Sequence, residues 1–161
     1  MSQYNKYPKD LGFWMPAEWE THERCWMMWP TGLDLDRYPD THRMRAGYAA
    51  AANAISQFEK VTLIANASDI DECRDLVSDN VDIYNLTIDD SWCRDTGPTF
   101  ITNGKILGGV DWTFNNYGEL LGPDYLNDRE VAKHVIRESS AKYFDAPIIL
   151  EGGAIHTDGR G

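Results

Sequence analysis

The stretch DDSWCRDTGPTF, residues 89–100, places three carboxylates, an arginine, a tryptophan and a thiol within its first seven residues. Carboxylates so close in sequence repel one another unless a cation neutralises them. Arg94 would supply that cation if the stretch is a structural turn held by Asp–Arg contacts. The alternative is a binding site, in which Asp95 clamps a planar cation and the ring of Trp92 bounds it. A metal site is the weaker interpretation, because the spacing of the aspartates matches no EF-hand loop.

Glu151 is a second candidate, since it ends a predicted strand and precedes Gly152 and Gly153. Paired glycines permit close approach of the backbone to a ligand, although they are equally typical of a sharp bend. His156 and Asp158 would share one face of a strand as an acid–base or metal-binding pair. A polar turn explains the same two residues and is the interpretation that we favour.

Cys93 has the neighbour that a nucleophilic thiolate needs, because Arg94 would favour the charged form. In an extended segment, however, Cys93 would face away from Trp92 and Arg94, so an inert buried thiol is favoured. The other two cysteines are Cys25 and Cys73, and the chain has no CxxC motif. This pattern indicates a reducing, cytoplasmic setting and gives no zinc signature.

The composition predicts a single acidic domain of 161 residues, 42% of them hydrophobic. The net charge of −11 argues against nucleic acid and anionic membrane as partners and suits a small cationic molecule. No apolar run approaches the ~18 residues of a membrane span, and the first ten residues lack the apolar core of a signal peptide.

Hydrophobic periodicity predicts alternating strands and helices in the first half of the chain. The predicted elements are a strand at 24–30, a helix at 41–59, a strand at 60–66, a helix at 67–79 and a half-exposed strand at 81–87. The first helix should bury one face at steps of three and four, formed by Met44, Tyr48, Ala51, Ile55 and Phe58. The second should be capped by Ser68, with Glu72 in its first turns.

The second half is predicted to begin with a hairpin of residues 98–102 and 105–110. Asn103 and Gly104 would form its two-residue turn, with positive φ at both positions. A helix at 128–144, capped by Asn127 or Asp128, should bury Val131, Val135 and Ile136. A strand at 146–150 and a second hairpin-like turn follow. Helices mixed with hairpins indicate an α/β fold with mixed sheets.

Three blocks occur in order along the chain, GFWMPAEWETHERCWMMWP, DDSWCRDTGPTFI and LEGGAIHTDGRG. Together they resemble the N-terminal part of the agmatine deiminase family, relatives of the bacterial-type peptidyl-arginine deiminases, from about Leu11 onward. The resemblance implies a pentein fold, a five-bladed α/β propeller of ββαβ modules. Residues 1–161 would supply about two modules, as the N-terminal portion of a single catalytic domain truncated at its C-terminus.

The resemblance also implies hydrolysis of agmatine to N-carbamoylputrescine and ammonia, a step towards putrescine, without metal or cofactor. In that chemistry a cysteine thiolate attacks the guanidinium carbon, carboxylates hold the guanidinium nitrogens, and a histidine transfers protons. Family members are more than twice this length and carry both the nucleophile and the acid–base histidine in later blocks. His156 does not match that histidine, so the chain alone is expected to have little or no deiminase activity.

The matching blocks imply roles for four residues. Asp95 is expected to clamp the guanidinium, Glu151 to lie near it, and Trp92 to line the pocket for the alkyl-amine tail. Arg94 is expected to brace the site. Peptidyl-arginine is the alternative substrate, a non-catalytic guanidinium- or polyamine-binding module is the alternative function, and a purely structural α/β domain is a third interpretation. Homo-oligomerisation of the full-length form stays open.

Overall fold

The computed structural model describes residues 7–32, 37, 39–120, 122 and 126–160. The chain divides into two compact units. One, which we call the parallel-sheet unit, comprises Thr21–Cys93 and Gly122–Asp128. The other, the mixed-sheet unit, comprises Met1–Glu20, Arg94–Leu121 and Arg129–Gly161. The expected α/β class with mixed strand directions is confirmed, because one sheet is wholly parallel and the other is not.

The parallel-sheet unit contains strands β1 (Arg24–Met28), β2 (Lys60–Ala65) and β3 (Val81–Asn85), in that order and all parallel. Parallel neighbours need a crossover, which is supplied by helices α1 (Thr41–Ile55) and α2 (Ile70–Leu76). Every residue of β2 except the first is buried, as expected of the central strand. The core of this unit is formed by Trp29, Ala49, Ala52, Val61, Leu63, Ala65, Cys73, Val77 and Val81.

Helix α1 buries only part of the face that periodicity predicts, because Tyr48 and Ile55 pack against the core whereas Met44 and Ala51 are not among the residues that do. Its buried residues are Arg45, Ala49 and Ala52, whereas Phe58 lies beyond the end of the helix and is 90% exposed. The buried face is shifted from the predicted one because Arg45, which the apolar pattern does not include, takes an inward position. Alanines flank it, and their small side chains let the helix pack close to the sheet.

Arg45 joins three segments of the parallel-sheet unit through a nearly buried guanidinium. Its Nε donates to the carbonyl oxygen of Pro30 over 3.1 Å, Nη2 donates to Asp69 over 2.9 Å, and Nη1 donates to Glu72. The guanidinium also lies 5.8 Å from the ring centroid of Trp29, within cation–π range. A charge this deeply buried is tolerated because carboxylates and a carbonyl surround it.

Two further expectations for this unit were wrong. Ser68 does not cap α2: the N-cap is Asp69, whose side chain instead accepts hydrogen bonds from Arg45 and from the hydroxyl of Thr31. Tertiary contacts therefore occupy the carboxylate that local rules would use as a cap. Strand β3 ends at Asn85, two residues earlier than expected.

The mixed-sheet unit contains β4 (Thr99–Thr102), β5 (Leu107–Thr113) and β6 (Lys142–Ile149), with β4 antiparallel and β6 parallel to β5. Helix α5 (Val131–Glu138) packs on this sheet and is preceded by a 3-10 turn at Asn127–Glu130. A Cβ at Gly109 would lie 2.4 Å from Ile136, so glycine there lets the helix approach β5 closely. The core of the sheet is formed by Phe13, Ile101, Val110 and Phe144.

The hairpin predicted around Asn103 and Gly104 is present, but its turn is longer than two residues. Thr102 pairs with Leu107, which leaves four residues in the loop. Gly104 alone takes positive φ, at 78°, while the Asn103 side chain accepts hydrogen bonds from the backbone N–H groups of Lys105 and Ile106. Asparagine therefore acts through its side chain and not through a left-handed backbone.

The helix predicted at 128–144 was wrong at both ends. Its N-cap is Glu130, not Asn127 or Asp128, and from residue 142 onward the chain forms β6. The apolar face was correct, since Val131, Val135 and Ile136 are all buried. The second hairpin also does not form: Gly152–Ala154 make a 3-10 turn, followed by non-helical backbone to residue 160.

Two shorter helical segments complete the elements, α3 (Cys93–Thr96) and α4 (Asn116–Glu119). A 3-10 turn at Pro8–Leu11 precedes them in the chain. Over the residues that the structure describes, no helix combines the length and the apolar character needed to cross a membrane.

Asp128 is a buried carboxyl of the parallel-sheet unit, 3% exposed, that accepts a hydrogen bond from the backbone N–H of Asp89. In return, Asp89 accepts hydrogen bonds from the backbone and side chain of Asn127. Burial raises the pKa of the Asp128 carboxyl to about 7, and the charges of Asp89 and Asp90 add to the rise. The backbone N–H groups of Asp89 and Asp90 act in the opposite direction.

Substitution of Arg45 by methionine should lower the free energy of unfolding by about 3–5 kcal/mol, because Asp69 and Glu72 would lose their shared cation. Urea unfolding of the purified chain measures the loss. The control is Arg43→Met on the same helix, where the side chain is exposed and the change should stay within about 0.5 kcal/mol. A loss under about 1 kcal/mol for Arg45→Met would contradict the role assigned to the network.

Asp128→Asn should flatten the pH dependence of stability between about pH 4 and pH 7. In this window the folded state keeps a proton that the unfolded state, with an aspartate pKa near ~3.9, releases. Wild-type stability therefore includes a contribution that is complete below pH ~4 and is lost as pH rises through about 7. Urea unfolding at a series of pH values compares the two chains. Asp79→Asn, at an exposed carboxylate, is the control and should follow the wild-type curve.

Candidate functional site

Asp95 lies in α3, the single helical turn at Cys93–Thr96, and its side chain is half-buried. One carboxylate oxygen, Oδ2, accepts a hydrogen bond from the hydroxyl of Tyr117 over 2.8 Å. Tyr117 lies in α4, 22 residues further along the chain. The orientation of the Asp95 carboxylate is therefore fixed by a residue from another segment of the chain.

The Glu151 segment packs against the Asp95 segment within the mixed-sheet unit. Glu151 precedes the 3-10 turn, and a Cβ on Gly152 would lie 2.2 Å from the carbonyl oxygen of Arg94. A Cβ on Gly153 would lie 3.6 Å from Oδ1 of Asp95. The first glycine is therefore required by a backbone-to-backbone contact, and the pair of glycines brings the half-buried Glu151 to the turn that carries Asp95.

Arg94 forms an ion pair with Glu18, with 2.7 Å between Nη1 and Oε1. Both side chains are at least half exposed, so the pair contributes at most about 1 kcal/mol. Arg94 therefore ties the turn to the N-terminal segment of the same unit, which is a bracing contact.

The two aspartates at the start of the stretch have partners of their own in the parallel-sheet unit. Asp90 is 1% exposed and pairs with Arg37 over 3.2 Å, and Asp89 receives the hydrogen bonds from Asn127. The interpretation of the stretch as a turn neutralised by Arg94 is not what the structure shows, because Arg37 pairs with the buried carboxylate and Arg94 pairs with Glu18.

Trp92 belongs to the parallel-sheet unit, whereas Asp95, Glu151 and Arg94 belong to the mixed-sheet unit. Its side chain is 39% exposed and borders an open, largely apolar hollow of about 680 Å³. The other residues that line this hollow come from the first strand, the first helix and the residues just before it: Met27, Pro39, Asp40, Arg43, Met44, Gly47, Tyr48 and Ala51. Met44 and Ala51, predicted to face the core, line the hollow instead.

The three cysteines are thiols and lie within the described ranges. Cys73 is buried in the core, and that burial raises the pKa of its thiol to about 11, so it stays neutral and inert. Cys93 begins a helical turn and is half-buried, so the extended geometry that we used to interpret it was wrong. Cys25 is half-buried and packs against the core of the parallel-sheet unit.

His156 and Asp158 are both exposed. Oδ1 of Asp158 accepts a hydrogen bond from the backbone N–H of Arg160, which is a local turn contact. Over the ranges that the structure describes, no group of three or more His, Cys, Asp or Glu side chains is arranged to hold a metal ion.

Tyr117 is the residue that sequence reasoning missed. It lies in the segment FNNYGE, residues 114–119, between a strand and a helix, and no catalytic motif marks it. A local signal was nevertheless present, since asparagines and a glycine together are typical of left-handed backbone.

Solved structures that are similar to this chain include agmatine deiminases. The agmatine deiminase of Enterococcus faecalis superposes with a TM-score of 0.85 at 32% identity, covering 96% of this chain and 43% of that one. The expected pentein α/β fold is thereby confirmed, while the number of propeller modules remains a prediction.

A family model described as Porphyromonas-type peptidyl-arginine deiminase matches residues 14–161. The chain belongs to this family, and the resemblance drawn from the three sequence blocks is confirmed.

Two relatives extend the comparison. A protein of Legionella pneumophila (strain Paris), named "Putative agmatine deiminase", is 46% identical over 98% of this chain and 46% of its own length. The agmatine deiminase of Pseudomonas aeruginosa (strain LESB58) is 41% identical over 100% of this chain and 45% of its own length. The chain therefore spans less than half the length of the relatives that it matches.

Gly152→Ala should destabilise the mixed-sheet unit by about 1–3 kcal/mol, because the new methyl group would meet the carbonyl oxygen of Arg94 and force two backbone segments apart. Gly153→Ala is the matched control, since its Cβ would make an ordinary contact of 3.6 Å with Asp95. Chemical denaturation of the three chains measures the difference. Equal stability of the two alanine variants would show that the close contact is unimportant.

Proposed function

We propose that this chain forms the guanidinium-binding part of an agmatine deiminase, which hydrolyses agmatine to N-carbamoylputrescine and ammonia. Membership of the peptidyl-arginine deiminase family and similarity to proteins named agmatine deiminase support this proposal. The observation that carries it is the packing of the Glu151–Gly152–Gly153 segment against the Arg94–Asp95 turn, which brings together two sequence blocks that are far apart along the chain.

In the proposed site Asp95 is the guanidinium clamp. A carboxylate and a guanidinium form a two-pronged hydrogen-bonded pair, and the ionised carboxylate favours the delocalised cation. Glu151 would supply a second carboxylate near the same group, Trp92 an apolar wall for the alkyl chain, and Arg94 the bracing contact with Glu18. Two fixed carboxylates would hold the planar group in one orientation for nucleophilic attack.

No residue of this chain is assigned as nucleophile or general acid–base. Cys73 is excluded by its burial, and the family resemblance places both reactive groups in blocks that do not match residues of this chain. We accordingly propose that residues 1–161 correspond to an N-terminal portion of a pentein catalytic domain, which their 43–46% coverage of relatives supports. Thiol-form cysteines suit the reducing cytoplasm as its location.

Peptidyl-arginine is the alternative substrate, because the matching family model carries that description. The two substrates share the guanidinium and differ at the distal end, where agmatine has an amine and a peptide has backbone amides. The names of the relatives favour agmatine.

Calorimetric titration of the 161-residue chain with agmatine tests the proposal. We expect binding that falls roughly 30-fold or more in Asp95→Asn, because the neutral amide loses the charge-assisted pair with the guanidinium. The chain should release little or no ammonia from agmatine, since it lacks an assigned nucleophile.

Two comparison ligands and a control variant make the titration specific. Putrescine, which has no guanidinium, should bind much more weakly, and an N-acylated arginine amide tests the alternative substrate. Asp158→Asn, at an exposed carboxylate in the same unit, should bind agmatine like the wild type. Undetectable binding of both guanidinium ligands by the wild-type chain would refute the proposed function.

A further inference from the structure

The geometry points to Tyr117 as the positioning residue that orients the Asp95 carboxylate for a guanidinium ligand. This inference rests on the proposed function of Asp95. The hydroxyl of Tyr117 donates to Oδ2 over 2.8 Å, a normal length for an O–H···O hydrogen bond.

The backbone around Tyr117 is strained. Four consecutive residues, Asn116, Tyr117, Gly118 and Glu119, have φ values of 54°, 55°, 79° and 63°. Left-handed backbone costs roughly 1–2 kcal/mol for each residue that carries a Cβ, and three of these four do. Such strain persists only where the surroundings hold it, and it is concentrated at functional sites.

Two hydrogen bonds accepted by Asn115 and the packing of two side chains hold the strained turn. The side chain of Asn115 accepts a hydrogen bond from the backbone N–H of Gly118 over 2.9 Å, and the carbonyl oxygen of Asn115 accepts from Glu119 over 2.8 Å. The side chain of Asn116 is buried, with the residue 1% exposed. The ring of Tyr117 meets buried Phe114 edge-on, with centroids 5.2 Å apart and planes at 90°. The hydrogen bonds of the backbone and the packing of the ring together fix the direction of the Tyr117 hydroxyl.

A single hydrogen bond from Tyr117 would leave Asp95 better able to bind a guanidinium than a salt bridge would. An ionised carboxylate has about four lone-pair positions, and a phenol occupies one of them, so both oxygens still accept from a guanidinium. The phenol is neutral at physiological pH and does not cancel the charge that attracts the ligand. A cation at the same position would compete with the guanidinium for that charge.

The test compares Tyr117→Phe with Tyr143→Phe in the 161-residue chain. Tyr143 makes the same kind of contact in the same unit, donating its hydroxyl to Asp111 over 2.7 Å. Tyr117→Phe should weaken agmatine binding about tenfold, since an untethered carboxylate must be ordered by the ligand. Tyr143→Phe should bind like the wild type. Urea unfolding checks that both phenylalanine variants remain folded, because each keeps its ring.

A double-mutant cycle with Asp95→Ala shows whether Tyr117 acts through Asp95. In that background, titrated to millimolar agmatine, the added Tyr117→Phe substitution should have no further effect on the dissociation constant. An equal loss in both backgrounds, or wild-type affinity of Tyr117→Phe, overturns the positioning role and leaves the proposed function intact. Absence of agmatine binding by the wild-type chain refutes the proposed function itself and, with it, this inference.

Discussion

The parallel-sheet unit depends on one buried guanidinium, that of Arg45. It connects the segment that follows the first strand, through Pro30, to the start of the second helix, through Asp69 and Glu72. Its three partners hold Arg45 inward, so the buried face of α1 consists of Arg45, Ala49 and Ala52, with Tyr48 and Ile55 packed beside them. Met44 is left as a result at the surface of the hollow that Trp92 borders.

The mixed-sheet unit has a corresponding constraint in the contact between Gly152 and the carbonyl oxygen of Arg94. Two backbones meet there with no space for a side chain. This close contact places the segment of Glu151 next to the turn that contains Asp95. Tyr117, from the strained left-handed turn at Asn116–Glu119, donates a hydrogen bond to Asp95. Both features lower stability, the glycine through lost conformational entropy and the turn through backbone strain. Such costs are expected where the geometry of a site matters more than stability.

Part of the proposed site could be predicted from the residues themselves. The DDSWCRD stretch and the EGG block are chemically conspicuous, but their chemistry left a carboxylate clamp and a structural turn both open, and the family resemblance favoured the clamp. The roles of individual aspartates were not visible, because a carboxylate's partner can lie far away in sequence. Asp90 pairs with Arg37, 53 residues away, and Asp95 pairs with Tyr117.

The sequence by itself determined the order of the six strands and of helices α1, α2 and α5, because burial of alternating and helical apolar patterns is a local requirement. It also determined the family, through three specific blocks. Only the tertiary structure decided where α5 stops, since residues 142–149 gain ladder hydrogen bonds from β5 that no local propensity records. It likewise decided which face of α1 is buried and which hydroxyl holds Asp95, because both depend on partners supplied by distant segments.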